Sequence, residues 1–194
     1  GINAFDSAIG WAECNNDGGA GCPSIGWELF TDVERGDVLQ VAHTAAGDMA
    51  GLFIALNGVV NLSDYSAGSL VFDIKVLSGD SKITMKLDCI YPCTSGEQAL
   101  GSKGASGWET VEVQMATLVS GGLDLANVNT GIVIWASNTT DTVFQIDNVR
   151  FTGIADGSTP PTGGTNPADY QITAYGAGSV SDTINPDSYR CVFD

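Results

Sequence analysis

Ser69-Leu70-Val71-Phe72-Asp73-Ile74-Lys75-Val76-Leu77 alternates along its length. Leu70, Phe72, Ile74 and Val76 share one parity, and Asp73 and Lys75 the other. Successive side chains of a strand point to opposite faces, so this stretch reads as a half-buried strand. The pattern recurs downstream. In Lys82–Cys89, Ile83, Met85 and Leu87 oppose Thr84, Lys86 and Asp88. In Trp108–Met115, Val111, Val113 and Met115 oppose Trp108, Thr110, Glu112 and Gln114. In Gly131–Ala136, Ile132 and Ile134 oppose Val133 and Trp135. Gly26–Val33, Val38–Thr44, Leu52–Leu56 and Thr142–Phe151 add further strands, separated by Gly, Asn, Asp and Ser clusters. Asn61–Ala67 and Leu123–Val128 read as single helical turns, and no long amphipathic helix appears. Many short strands at this spacing predict an all-β fold, a sandwich of two antiparallel sheets.

The last of these strands carries an irregularity. Val143-Phe144-Gln145-Ile146-Asp147-Asn148-Val149-Arg150-Phe151 interrupts its apolar alternation with two poor strand formers, Asp147 and Asn148. A buried carboxylate needs a partner. Two readings follow: a bound cation, or an exposed aspartate at a bulge.

Composition narrows the function. The chain has 194 residues, 43% of them hydrophobic, enough for one cored domain. Its formal net charge is -16, with seven Lys plus Arg. That excludes nucleic acid and anionic lipid surfaces as partners, since both are held by basic side chains. Neutral ligands are the natural match. No apolar run approaches a membrane span. Gly1–Asp6 lacks the basic and apolar regions of a signal peptide. The cysteines Cys14, Cys22, Cys89 and Cys93 form two close pairs around turn-rich loops, read as Cys14–Cys22 and Cys89–Cys93 disulfides of an oxidising compartment. Four cysteines allow three pairings. Zinc knuckle spacing is absent, and Cys191 is left over. A secreted (extracellular or periplasmic) monomer is expected.

After Phe151 the composition changes. The expected organisation is a β-sandwich over residues 1–153, a Gly/Pro/Thr linker over 154–167, and a tail or the truncated start of another module over 168–194.

Phe5-Asp6, Gly36-Asp37-Val38-Leu39-Gln40-Val41, Tyr65-Ser66-Ala67-Gly68-Ser69-Leu70-Val71-Phe72-Asp73-Ile74-Lys75 and Phe144-Gln145-Ile146-Asp147-Asn148-Val149 follow one another in an informative order. Together they resemble the calcium-containing jelly-roll (galactose-binding-like) carbohydrate-binding modules of bacterial polysaccharide-degrading enzymes. The mid-chain motif is similar to accessory domains of marine exo-beta-glucanases and laminarin-degrading enzymes. The resemblance spans roughly Ile2–Phe151. It implies a structural Ca2+ held by Asp6 and Asp147, from the first and last strands, with oxygens from the turn that includes Asp37. Six to eight oxygen ligands in flexible geometry suit such a set. Asp32 and Glu34 read as solvated turn residues, and Asp37 is open to either reading.

Sugar binding needs flat aromatic faces beside polar groups. Trp135 and Trp108 fall on outward parities, along with Lys86, Asp88, Glu112 and Gln114. If their strands share a sheet, they form a groove with an aromatic platform. Tyr91, between Cys89 and Cys93, would be an aromatic held rigidly at its rim. Trp11 and Trp27 read as filling beneath the Cys14–Cys22 loop, and His43 as a half-buried strand residue. No motif singles out a catalytic pair: Glu109 and Glu112 fall on opposite strand faces, and no Gly-x-Ser-x-Gly elbow occurs. The expected function is a non-catalytic module that targets a covalently attached polysaccharide-degrading domain to a neutral polysaccharide, a beta-glucan such as laminarin or mixed-linkage glucan. The alternatives are a structural accessory domain that binds no sugar, or a small glycan-active hydrolase or lyase.

Overall fold

The computed structural model describes residues 25–43, 51–136 and 140–153, with strand segments 172–173, 183–185 and 190–192. The strands are β1 (Ile25–Asp32), β2 (Gly36–His43), β3 (Leu52–Val60), β4 (Ser69–Ser78), β5 (Lys82–Cys89), β6 (Gln98–Ser102), β7 (Glu109–Gln114), β8 (Val128–Ala136) and β9 (Thr142–Thr152). Short strands β10 (Ile172–Thr173), β11 (Thr183–Asn185) and β12 (Arg190–Val192) follow. Single 3-10 turns at Ser63–Tyr65 and Leu125–Asn127 fall inside the two segments expected as helical turns. Two elements in the stretch up to Gly153 were not anticipated. β6 contains Gly101 and only one large apolar side chain, Leu100, so its alternation is too weak to read. The helix α1 (Met115–Ser120) begins at the residue expected to end a strand; Met115 and Leu118, three apart, are its buried positions.

Sheet one has the order β1-β2-β9-β4-β7, and sheet two β10-β3-β8-β5-β6. Every named pairing is antiparallel. β4 and β5 follow each other in sequence yet sit in different sheets, joined by residues 79–81. Two residues further along the chain, Ile172 and Thr173, pair with Leu56 and Ala55 of β3.

The core lies between the sheets and is built by the parities read above. Leu39, Val41, Leu70, Phe72, Ile74, Phe144 and Ile146 of sheet one meet Ile83, Met85, Leu87, Ile132 and Ile134 of sheet two, none more than 2% exposed. Truncating Phe72 or Phe144 to alanine would cost about 3–5 kcal/mol.

The irregularity in β9 is a bulge. Asp73 pairs with Asp147 but Val71 with Arg150, so β9 carries one residue more than β4 between these pairs. Asn148 absorbs the bend at φ 54, a conformation asparagine tolerates better than most residues. The extra residue switches parity: Phe144 and Ile146 before it, and Val149 and Phe151 after it, all join the one core.

Candidate functional site

The outer face of sheet one carries a row of side chains in register. Glu28 of β1 faces Gln40 of β2, Gln40 faces Gln145 of β9, and Gln145 faces Lys75 of β4. Ile74 faces Glu109 of β7, so Trp108, one residue earlier, falls level with Lys75. The row thus crosses five strands, about 19 Å at roughly 4.8 Å per gap. Hydrogen bonds link one half of it: Gln40 Nε2 donates to Glu28 Oε1 at 3.0 Å, and Gln145 Nε2 to Gln40 Oε1 at 3.0 Å.

Trp108 is delivered by the loop before β7. Gly104, at φ +64, lies so close to β4 that a Cβ there would sit 2.9 Å from the Ile74 carbonyl oxygen. Its own carbonyl accepts the Val76 amide at 2.9 Å. Glu109 fastens this loop by accepting from Gly104 N at 2.8 Å and Lys103 Nζ at 3.0 Å. The Gly104 amide is the main cause of a Glu109 pKa below the usual range.

The β1–β2 turn arches over the same end of the face. β1 and β7 are opposite edges of sheet one, yet Trp108 Nε1 donates to Asp32 Oδ1 at 3.4 Å. The Arg35 guanidinium lies 5.1 Å from the Trp108 ring centroid and Lys75 Nζ lies 5.7 Å from it, both within cation–π range. Each cation is held by a buried aspartate: Lys75 Nζ is 3.0 Å from Asp32 Oδ2, and Arg35 2.8 Å from Asp73 Oδ2. Asp32 also accepts the Glu34 amide at 2.8 Å. Asp73 accepts Thr110 Oγ1 and Asn148 Nδ2, each at 2.6 Å. Burial alone would raise both carboxyls; the Glu34 amide, Lys75 and the indole outweigh it at Asp32, and Thr110, Asn148 and Arg35 at Asp73. Both pKa values end below 3.8.

The expected site residues separate into groups. Trp108 is half-buried and joins the row; Glu112 and Gln114 share its face further along β7, bound to Ser69 (Ser69 Oγ to Glu112 Oε1 2.6 Å, Gln114 Nε2 to Ser69 Oγ 2.9 Å). Trp135, Lys86 and Asp88 belong to sheet two and point away from the core on its other side, so the single groove expected from these residues does not form. Trp135 is a correction: it keeps 6% of its surface and is buried. Parity assigned it correctly to the outer face, where Thr84 lies in register with it and Val133 two residues along its own strand, but its burial shows that this part of the face is covered. Lys86 and Asp88 form an ion pair at 2.9 Å. Tyr91 is 93% exposed in the loop closed by the Cys89–Cys93 disulfide. The loop is tied by Ile90 N to Asn127 O, 3.0 Å, at the far end of β5, so Tyr91 and Trp108 occupy opposite ends of the sandwich. Asp32, expected to be solvated, is 6% exposed. His43 is buried on the core-facing parity of β2. Sequence reasoning missed Arg35, Glu28 and Gln40; only the register and the arch of the turn reveal them.

Asp6, Cys14, Cys22 and Trp11 lie outside the described residues. Of the expected calcium ligands, Asp147 is 8% exposed and accepts its neighbour's amide, Asn148 N, at 2.7 Å. It is therefore not the exposed bulge aspartate of the second reading. Asp37 is exposed and accepts Thr31 Oγ1 at 2.8 Å. Among the described residues no three of His, Cys, Asp and Glu are grouped to hold a metal. Asp147 is the one buried carboxylate among the expected ligands that fall within the described residues.

Residues 32–151 match the Exop_C model, described as galactose-binding domain-like. The chain belongs to the Exop_C family. No curated protein matches it. Among solved structures, this Exop_C chain is similar to the family 30 carbohydrate-binding module of a Clostridium thermocellum cellulosomal cellulase, with TM-score 0.55 and 16% identity over 78% of this chain and 91% of that one. It is also similar to the extra C-terminal domain of an exo-1,3/1,4-beta-glucanase from a Pseudoalteromonas species, with TM-score 0.50 and 14% identity over 71% and 75%. An exo-beta-agarase matches at TM-score 0.52 and 13% identity, over 80% of this chain and 25% of that one. The fold is therefore that of carbohydrate-binding modules.

Proposed function

We propose that this chain is a non-catalytic, extracellular polysaccharide-binding module that keeps an attached glycan-degrading domain near its substrate. The observation that carries this is the cross-strand row on sheet one: an indole at one edge, followed by an ammonium, two carboxamides and a carboxylate at strand spacing. An aromatic face suits the apolar side of a pyranose, and the amides suit its hydroxyls. The acidity of the chain and its resemblance to glucanase accessory domains support a neutral beta-glucan as ligand. Attachment makes substrate encounter intramolecular and raises effective concentration without new chemistry.

Affinity electrophoresis through gels containing laminarin, barley mixed-linkage glucan, agarose or alginate tests the reading. Retardation by a neutral glucan, relieved in Trp108→Ala, is expected. Migration unchanged in every polymer would remove the ligand-binding claim.

A structural Ca2+ bound by Asp6, Asp147 and Asp37 belongs to the same proposal. The burial of Asp147 supports it. The second reading, a structural accessory domain packing on a neighbour without binding sugar, draws support from the burial of Trp135 and from the two cations lying against Trp108.

A further inference from the structure

The row leaves one acceptor unanswered. Glu28 Oε1 accepts from Gln40, which turns its Nε2 toward it at 3.0 Å. That leaves Gln40 Oε1 facing Gln145, which must donate through its own Nε2, again at 3.0 Å. Flipping either amide would set oxygen against oxygen, so the carboxylate at the β1 end fixes the direction of the chain. Gln145 Oε1 therefore points away from Gln40. No donor among the described residues reaches it, and the residue is 1% exposed. An unpaired buried carbonyl is costly, and native structures keep few of them.

We propose that Gln145 Oε1 is a specificity-determining acceptor for a saccharide hydroxyl, and this rests on the polysaccharide-binding reading above. Gln145 lies two strand gaps from Trp108, about 10 Å. The donor hydroxyl therefore belongs to a sugar further along the chain than the one stacked on the indole. The site selects a neutral polymer with a free hydroxyl at that point and rejects one that is substituted there. Gln145 is almost fully buried, so access requires what covers it to move: Lys75, in register with it, or β12, which packs against β9.

Gln145→Met keeps the shape and removes the unpaired carbonyl. The released Gln40 oxygen is only half-buried and finds water. Binding to laminarin or barley glucan should fall about tenfold while the unfolding midpoint stays level or rises. A structural role would give the reverse, a lower midpoint with unchanged binding, and would overturn the proposal. Unchanged binding in Gln145→Met alongside lost binding in Trp108→Ala would overturn the Gln145 assignment alone and leave the module reading intact. If the wild-type chain binds neither glucan, the module reading fails and this inference with it. Should Gln145→Met not fold, the Gln145 side-chain amide signals of the wild type decide by NMR. A shift on adding glucan oligosaccharide is expected, and no shift under saturating oligosaccharide would sink the assignment.

Discussion

The two outer faces of the sandwich each carry a tryptophan placed there by strand parity, and they differ in almost every other respect. On sheet one, Trp108 sits half-buried at the end of a polar row, its N–H on Asp32 and its ring beside Arg35 and Lys75. On sheet two, Trp135 is 6% exposed, beside Val133 and Thr84. Parity decides which side of a sheet a residue takes. Whether that side is wet depends on what its neighbours in register are, and on what arches over them.

The largest test of this contrast is stability. Trp135→Ala should destabilise by about 3–5 kcal/mol, as for a buried aromatic, whereas Trp108→Ala should cost clearly less and act mainly on binding. Urea unfolding of both variants measures the difference, and equal losses would erase the distinction between the faces.

Next comes the proposed calcium, which would tie the bulged end of sheet one. If it binds the native form alone, calcium at about 100 times its Kd adds roughly 2.7 kcal/mol. Chelator should then lower the thermal midpoint, and Asp147→Ala should abolish that response. A chelator-sensitive midpoint in Asp147→Ala would place the ion elsewhere.

The acid response should also come from sheet one. Asp32 and Asp73 have folded pKa values below 3.8, so the stability they contribute is fully present above that pH and is lost as pH falls through the folded values. Asp73→Asn should flatten the loss of stability seen by urea titration from about pH 5 downward. An unchanged slope would mean that the arch over Trp108 is not held by these carboxylates.

The smallest effect is expected on sheet two. Lys86 and Asp88 form a partly exposed ion pair, so Lys86→Ala should change stability by no more than about 1 kcal/mol and leave glucan retention as in the wild type. Lost retention there would move the binding face to sheet two.

The strands and the core were legible in the sequence because alternation is a local property of a strand that buries one face. Lys82–Cys89 matches its strand residue for residue, and the apolar parities of Ser69–Leu77 and Thr142–Phe151 name the core side chains of β4 and β9. Even the bulge was marked, since Asp147-Asn148 is where the apolar parity must switch. The site was legible only in pieces. Trp108 carried outward parity, and Gln145 alternates with the apolar Phe144 and Ile146, but nothing local says that Gln145 stands between Gln40 and Lys75, or that Asp32 from one edge strand reaches Trp108 at the other. Those pairings join residues up to 105 apart in sequence, and the sheet order that makes them neighbours arises only when β9 inserts between β2 and β4. Side-chain period follows from the backbone of each strand alone; the company a side chain keeps follows from which strands hydrogen-bond, and that is settled by the packing of the whole sandwich.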